Sequence, residues 1–259
     1  MIAHPAPLSA GLKRAHASFH TPNPKRALVA SSVVAPPAAL SERIFSVRDP
    51  VHGDIELDYV CRVAIDTPEF QRLRGLKQLG ACHTVFSGAI HTRFQHCIGT
   101  AHLARQLITS LAANQPQLPI AAKDVICVTL AGLCHDLGHG PFSHTFELFV
   151  NDVGGGSWTH EDASIMMLEH MLRPGTRLAD TVAHAGLDAT DIVFVKEMIV
   201  GKGSEPVGRP DPSQAFLYDI ISNERSGLDV DKRACPCAAP PCRAPHRSPS
   251  PPPPPPLRS

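Results

Sequence analysis

A nearly unbroken apolar run from Val125 to Cys134 ends abruptly in the ionisable dipeptide His135-Asp136. The run favours a buried helix, which we expect to span about residues 123–135. The segment that follows, Leu137 to Pro141, contains two glycines and a proline and predicts a bend, because glycine permits unusual dihedral angles and proline stops or restarts a helix. An adjacent His-Asp pair can chelate one ion only where the backbone bends. The sequence therefore predicts a metal-binding pair at the end of a core helix.

Two further residues complete a set of metal ligands with this pair. His96 lies upstream and Asp231 downstream, so the set contains two imidazoles and two carboxylates. A divalent ion accepts both kinds of donor, and water bound to it loses a proton near neutral pH and becomes a nucleophile for phosphorus. A single histidine in a helical domain is more often a core or surface residue, so the prediction for His96 depends on the sequence around it. The set as a whole predicts a metal-dependent phosphohydrolase.

The composition favours a soluble intracellular protein. The formal net charge of the 259 residues is zero with histidine neutral, so no global field favours a nucleic acid or a membrane surface. The amino terminus lacks the charged start and apolar stretch of a signal peptide, and no apolar run is long enough to span a bilayer. The eight cysteines show no framework typical of secreted proteins. We therefore expect a reducing compartment and no membrane partner.

Three segments of the chain differ in composition. Residues 1–42 favour a disordered N-terminal segment, residues 43–232 are patterned as a globular domain, and residues 233–259 favour a disordered proline-rich tail. The domain should open with a short two-stranded element around His52-Gly53. The rest is predicted to be almost entirely helical, with helices over 67–79, 92–113, 123–135, 141–150, 191–200 and 214–222 and one that opens at Thr159. In the helix over 92–113, Leu107 is among the residues expected to face inward.

Several motifs resemble those of one enzyme family. Residues 91–96 and 132–144 resemble the signatures of the HD superfamily, and residues 49–53, 66–74, 77–80, 158–161 and 227–232 are similar to the eukaryotic SAM-and-HD-domain deoxynucleoside triphosphate triphosphohydrolases. The resemblance covers roughly residues 44–232. It implies a mostly α HD-domain metal-phosphohydrolase fold with a short β-hairpin near its start. It also implies a reaction that splits a deoxynucleoside triphosphate (dNTP) into the deoxynucleoside and tripolyphosphate.

The resemblance assigns roles to individual side chains at the reacting centre. One divalent ion, which we expect to be Zn, Fe, Mn or Mg, would be held by His96, His135, Asp136 and Asp231. Arg93 and His139 would face phosphate. The guanidinium fork of Arg93 suits bidentate contacts with phosphate oxygens. His144 would be the general acid, with His160 as its partner and Glu147 in place of the family's acidic residue. An imidazole suits this task because the leaving 5′ oxygen needs a proton donor with a pKa near neutrality.

Other matched residues would bind nucleotides. Gln78 and Leu79, together with Arg93, match residues that contact the substrate, and the first two would face the deoxyribose. An activator nucleotide, GTP or a dNTP, would contact Asp66, Gln71, Arg74, Val85 and Phe86. Each role has a structural alternative. Arg93 could be a helix-surface residue, His160 a packing residue beside a helix cap and Phe86 a core residue, while a charged helix face is usually only solvated.

The chain departs from the family pattern in three places. About forty low-complexity residues, too few to encode a SAM domain, stand where relatives have that domain. Phe45 and Ser46 replace the usual basic residue of the activator site and its neighbour, which weakens the case for activation by GTP. After Lys232 the proline-rich tail stands where relatives have a helical lobe that completes the nucleotide pocket and the oligomer interface. We therefore expect weak hydrolysis and a weakened homo-oligomer.

Two rival functions stay open at this point. One is a non-catalytic protein that binds nucleotides or single-stranded nucleic acid, or a truncated isoform that regulates a complete partner. The other is an HD enzyme acting on nucleoside monophosphates or cyclic nucleotides, which the segments at 78–79 and 227–232 disfavour. Release of tripolyphosphate from dGTP would discriminate among them. The family resemblance further implies location in the nucleus, with the cytoplasm as a second compartment.

Overall fold

The computed structural model describes residues 45–201, 203 and 205–234. The disorder predicted for residues 1–42, and that predicted for the tail from residue 235 onward, lies outside this part of the chain. Arg233 and Ala234 belong to a helix, so helical structure continues two residues past the predicted end of the domain. Among the described residues, every helix is either too short or too polar to cross a membrane.

A short hairpin opens the described domain, as predicted. Strand β1 (Phe45–Asp49) pairs antiparallel with β2 (Gly53–Leu57), and Val47 stands opposite Ile55. The turn is held by the Asp49 carboxylate, which accepts hydrogen bonds of 2.8 Å from the amides of residues 51 and 52. Gly53 has a φ of +77°, a conformation that glycine adopts without steric cost. Ile55 and Leu57 alternate with exposed residues and lie in the core.

The remainder is predominantly helical, which confirms the predicted fold class. The α-helices are α1 (Tyr59–Ile65), α2 (Pro68–Gln71), α3 (Arg93–Asn114), α4 (Ala122–Cys134), α5 (His144–Gly154), α6 (His160–Met171), α7 (Arg177–His184), α8 (Ala189–Val200) and α9 (Val230–Ala234). Three 3-10 helices add Arg72–Gly75, Gly80–Thr84 and Pro212–Ile220. Helices α1 and α7 were absent from the sequence-based prediction.

The long helix α3 and the apolar helix α4 form the centre of the core. Gly132 lets them approach closely, since a Cβ atom there would lie 3.3 Å from the Ala101 Cα atom. The start of α3 is fixed by a capping box, in which Thr92 Oγ1 accepts from the Gln95 amide while Gln95 Oε1 accepts from the Thr92 amide at 2.9 Å. This cap sets the rotation of the first turn of α3. As a result His96 lies buried against the end of α4.

The predicted helix over residues 67–79 was wrong beyond its first turns. Helix α2 ends at Gln71, a 3-10 turn follows, and Leu76 is extended with φ −102° and ψ 117°. The backbone pairs instead with the segment before α3, because the Leu76 carbonyl accepts from Arg93 N at 2.8 Å and the Gln78 amide donates to His91 O at 3.1 Å. Pairing between distant segments thus replaced local helical bonds.

Three other expectations also needed correction. Helix α5 begins at His144 and not at Pro141, because Phe142 and Ser143 adopt positive φ angles of 63° and 56°. The predicted helix over 214–222 is the 3-10 helix Pro212–Ile220. Leu107, expected to face inward, is 41% exposed.

Candidate metal centre and catalytic site

Four side chains that the sequence predicted as metal ligands meet at the inner ends of three helices. His96 lies in the first turn of α3, His135 caps the C-terminus of α4, Asp136 follows it, and Asp231 lies in α9. The first three are at most 9% exposed. Chain segments separated by up to 135 positions in sequence are therefore brought to one point, and the helix packing decides this convergence.

The donor atoms are spaced as ligands of one ion should be. His96 Nε2 lies 3.2 Å from His135 Nε2 and 2.9 Å from Asp231 Oδ1. His135 Nε2 lies 3.2 Å from the same Asp231 oxygen, and the Asp136 oxygens lie 3.4 and 3.5 Å from the two imidazole nitrogens. Metal–ligand bonds of about 2.1 Å place neighbouring donors about 3.0–3.4 Å apart in octahedral or tetrahedral geometry. The residues present therefore fit a divalent transition-metal ion.

His135 is held in the tautomer that a metal ligand needs. Its Nδ1 atom donates to the Gly132 carbonyl oxygen at 2.9 Å, which leaves Nε2 directed at the other ligands. Burial by itself would lower the pKa of His135, but Asp136 and the hydrogen bond to Asp231 raise it to about 9. The two carboxylates thus favour a positive charge at this point. A bound cation would satisfy the same electrostatic demand that a proton on His135 satisfies here.

Arg93 lies beside the metal ligands and not on the helix surface. Its side chain is 3% exposed, and its NH1 atom forms an ion pair with Asp136 Oδ2. Burial opposes ionisation of Asp136, but His135 and Arg93 hold the pKa of this carboxyl well below its usual range. The Nε atom of Arg93 is buried and has no hydrogen-bond partner. The guanidinium therefore keeps donor capacity next to the candidate metal centre.

Three histidines predicted to take part in catalysis form a second cluster next to the first. The His139 ring stacks on His160 with centroids 3.9 Å apart, and His144 meets both edge-on at 5.1 and 5.2 Å. His139 Nε2 lies 3.3 Å from Asp136 Oδ1, which joins the two clusters. Burial lowers the pKa of His139 to about 4 although Asp136 opposes the shift. His139 is therefore neutral at physiological pH, while the His144 side chain is 66% exposed to solvent.

Glu147 connects two of these histidines. Its Oε2 atom lies 2.8 Å from His160 Nδ1 and 3.9 Å from His144 Nδ1. Glu161 Oε2 also lies 3.1 Å from His160 Nδ1. With two carboxylates at that nitrogen, Nδ1 of His160 is the donor of these bonds, since a carboxylate can only accept. His160 is therefore linked to α5 through Glu147 as well as to Glu161 of its own helix.

The segment predicted to contact the sugar packs against the turn that leads to His144. Ser143 Oγ donates to the Gln78 backbone carbonyl at 3.0 Å, and a Cβ atom at Gly80 would lie 3.5 Å from Phe142 Cα. The Oε1 atom of Gln78 is buried without a hydrogen-bond partner. Leu79, which precedes the 3-10 helix Gly80–Thr84, is partly buried. The segment with Gln78 and Leu79 thus lies against the turn that precedes His144.

The residues predicted to bind an activator lie on the surface of the domain. Arg74 Nε donates to Gln71 Oε1 at 2.7 Å, and its guanidinium lies 3.5 Å from the centroid of the Phe94 ring. Asp66 is exposed at the end of α1. Val85 and Phe86 are 79% and 53% exposed, so the alternative that Phe86 is a core residue was wrong. The structure brings Gln71 and Arg74 into contact, and it leaves the two apolar side chains accessible.

Sequence reasoning missed two side chains that hold the turn after the His-Asp pair. Ser164 Oγ accepts from the Gly138 amide and lies 2.8 Å from the carbonyl oxygens of residues 135 and 160. Arg72 donates to the carbonyl oxygens of Leu137 and His139. The sequence signal that could have indicated a contact such as that of Ser164 was Gly138, because a glycine inside such a motif indicates that another segment approaches the backbone closely. Arg72 lies within the motif of residues 66–74, but no sequence pattern distinguished its role from that of the charged residues beside it.

Comparisons with known proteins agree with this geometry. Residues 93–191 match the HD domain family. The chain is 45% identical over 198 residues to the bovine (Bos taurus) "Deoxynucleoside triphosphate triphosphohydrolase SAMHD1", which covers 72% of this chain and 33% of that protein. The human (Homo sapiens) protein of the same description is 46% identical over 199 residues, covering 72% and 31%. A homologue from Dictyostelium discoideum is 44% identical over 188 residues, covering 72% and 34%.

The matches cover most of this chain but only a part of each relative. The chain spans about a third of the length of the curated relatives it matches. The matched HD-domain residues run from Arg93 to Asp191, and they include His96, His135 and Asp136 together with the three-histidine cluster. The similarity to the SAMHD1 proteins and the convergent ligand set lead to the same assignment: residues 93–191 of this chain are an HD domain.

Proposed function

We propose that this chain is a metal-dependent hydrolase that splits a dNTP into the deoxynucleoside and tripolyphosphate. The observation that carries the proposal is the convergence of His96, His135 and Asp136 beside a cluster of three histidines, with Asp231 Oδ1 2.9 and 3.2 Å from the two imidazole nitrogens. The first set fits a divalent ion, and the second offers proton donors and acceptors within reach of it. The similar proteins from cattle and humans are described as dNTP triphosphohydrolases, and this description supplies the substrate class.

The metal would be held by these two imidazoles and two carboxylates. This mixture of donors suits Zn, Fe or Mn better than Mg, which prefers an all-oxygen shell. When bound, the ion would lower the pKa of a coordinated water and polarise a phosphoryl oxygen. Gly132 fixes the orientation of His135, so the donor set is organised before the ion arrives.

Arg93 and His139 would act on the phosphates. Both border Asp136, and the arginine retains a buried donor without a partner. A planar guanidinium binds two phosphate oxygens at once, so Arg93 would both orient the triphosphate and offset its charge. His139 is neutral and can donate one hydrogen bond without demanding a counter-charge.

His144 would protonate the leaving 5′ oxygen. It is the most accessible of the three histidines and meets both of the others edge-on. Glu147 fixes the tautomer of His160 by accepting from its Nδ1 atom, and it lies near His144 Nδ1. This chain of contacts would hold a proton close to the leaving group. Gln78 and Leu79 would contact the deoxyribose from the adjoining segment.

Further properties implied by the resemblance stay proposals. Asp66, Gln71, Arg74, Val85 and Phe86 would form an activator surface for GTP or a dNTP, and the accessibility of the last two supports this. Homo-oligomer formation, binding of single-stranded nucleic acid and location in the nucleus rest on the family resemblance alone.

The proposal is tested by measuring bound metal and dGTP hydrolysis on the same preparation of the full chain. We expect about one transition-metal ion per chain and release of tripolyphosphate, and His135→Ala should abolish both. His184→Gln is the matched control, because His184 lies exposed on α7 and its bond within the described part of the chain is to the Asp180 carbonyl of its own helix. Bound metal without any hydrolysis would favour the rival non-catalytic role, and phosphate release from monophosphates would indicate the other rival.

A further inference from the structure

We propose that Arg72 is a positioning residue that clamps the turn carrying His139 and thereby aims the catalytic histidines. Its NH1 atom donates to the His139 carbonyl oxygen at 3.0 Å, and its NH2 atom donates to the Leu137 carbonyl oxygen. The two carbonyls flank Gly138. One guanidinium therefore holds the turn on both sides of its glycine.

The three amides of this turn have partners other than Arg72. The Leu137 amide donates to Cys134 O at 3.1 Å, and the His139 amide donates to Asp136 O at 3.2 Å. The Gly138 amide donates to Ser164 Oγ at 2.8 Å. Buried backbone groups require partners. Within the described contacts of this turn, Arg72 supplies the partner of the Leu137 and His139 carbonyls, so its loss leaves them unsatisfied.

The segment that carries Arg72 is itself anchored in the core. Phe70 and Leu73 on either side of it are completely buried, and Phe70 meets Phe94 of α3 edge-on with centroids 5.3 Å apart. The Arg72 side chain is further held by Met167 of α6, whose sulfur lies 3.3 Å from NH2. The guanidinium thus connects the 3-10 turn before α3 to the turn that follows α4.

Only arginine can make both contacts at once. Its rigid fork presents two donors at a fixed separation, whereas the ammonium of lysine is a single point charge on a flexible stem. Arg72→Lys retains the charge and most of the volume but loses simultaneous contact with both carbonyls. All four candidate metal ligands lie outside residues 137–139. His96 and Asp231 are on other elements, and His135 is anchored separately by the bond of 2.9 Å from its Nδ1 atom to the Gly132 carbonyl oxygen. The Arg72→Lys variant should therefore still bind the ion.

The inference predicts a local effect on the turn, and its activity readout rests on the proposed function. In Arg72→Lys and Arg72→Ala, amide hydrogen exchange should rise at least tenfold in the peptide spanning residues 135–143. Exchange in the middle of α3 should stay unchanged, as should bound metal. Turnover of dGTP should fall by about ten- to hundredfold, since a displacement of about 1 Å can cost that much. Methylguanidinium should restore part of the activity of Arg72→Ala and slow the exchange again.

Arg177→Lys is the matched control, because this arginine is exposed and bonds to the Tyr59 hydroxyl, away from the site. The proposal is overturned if exchange in residues 135–143 is unchanged in both Arg72 variants. It is also overturned if exchange rises equally throughout the chain and methylguanidinium has no effect, since that pattern describes a general loss of stability. Exchange needs no turnover, so an inactive wild-type chain with the expected exchange pattern would refute the hydrolase proposal and leave the clamp standing.

Discussion

Replacing Gly138 by alanine should damage both the stability and the site geometry of this domain. A Cβ atom at this position would lie 2.6 Å from the carbonyl carbon of Ala163, and closer still to the Ser164 nitrogen and the His160 carbonyl oxygen. Carbon atoms of side chains essentially never approach closer than 3.0 Å. Helix α6 must therefore move by at least 0.4 Å (3.0 − 2.6) to clear the first of these atoms, and by more to clear the others.

The clash involves backbone atoms, which cannot rotate away as a flexible side chain can. Overpacking a core costs about 1–3 kcal/mol, and we expect the upper end of that range, about 3 kcal/mol. The shift would also disturb the bond of 2.8 Å between the Gly138 amide and Ser164 Oγ. Because α6 begins at His160, its movement separates His160 from His139. A displacement of about 1 Å at a catalytic group lowers the rate on the order of a hundredfold.

Equilibrium urea unfolding of the full chain measures the first effect, and dGTP turnover measures the second. Gly88→Ala is the matched control, since a Cβ atom there would meet nothing within 4 Å. Its free energy of unfolding should change by less than about 1 kcal/mol. If Gly138→Ala unfolds within about 0.5 kcal/mol of the wild type, the close approach of this turn to α6 is not rigid, and the reasoning fails.

Three further predictions concern the metal, the acid stability and a helix cap. Removing bound metal with a chelator should lower the Tm of the wild type but not that of His135→Ala. The reason is that an ion that binds only the folded chain stabilises the folded chain. Equal shifts of Tm in the wild type and the variant would place the ion elsewhere. Burial would raise the pKa of Asp191, but the Asp188 amide, Arg209 and Lys123 hold it below its usual value. This carboxylate therefore stabilises the fold above the ordinary aspartate pKa, and its contribution is lost as the pH falls through the depressed folded value. Asp191→Asn should consequently show a shallower loss of unfolding free energy on acidification below about pH 4 than the wild type; parallel curves would contradict this. Thr92→Ala should cost about 1 kcal/mol in urea unfolding through loss of the α3 cap, and Thr84→Ala, at an exposed position, should cost much less.

The local sequence determined the helices whose signals are strong. The apolar run before His135 specified α4 to within a residue or two, since every position from 126 to 134 is buried and the pattern needs no partner to be recognised. Thr92 specified the start of α3 through its own hydroxyl and Gln95. The candidate ligand residues could likewise be named from the sequence, because the motifs around them resemble those of one enzyme family.

Tertiary structure decided what depends on contacts between distant segments. Leu76 and Gln78 left the helical path because the backbone at residues 91–93 offered partners that local helical bonds could not match. Phe142 and Ser143 adopted left-handed angles in the turn that packs against Gln78 and Gly80. The spacing of the four metal-ligand candidates and the clamp by Arg72 likewise exist only after α3, α4 and α9 have packed. Hydrophobic and capping patterns are local and can be read along the chain, whereas the satisfaction of buried polar groups is settled by whichever segments the fold brings together.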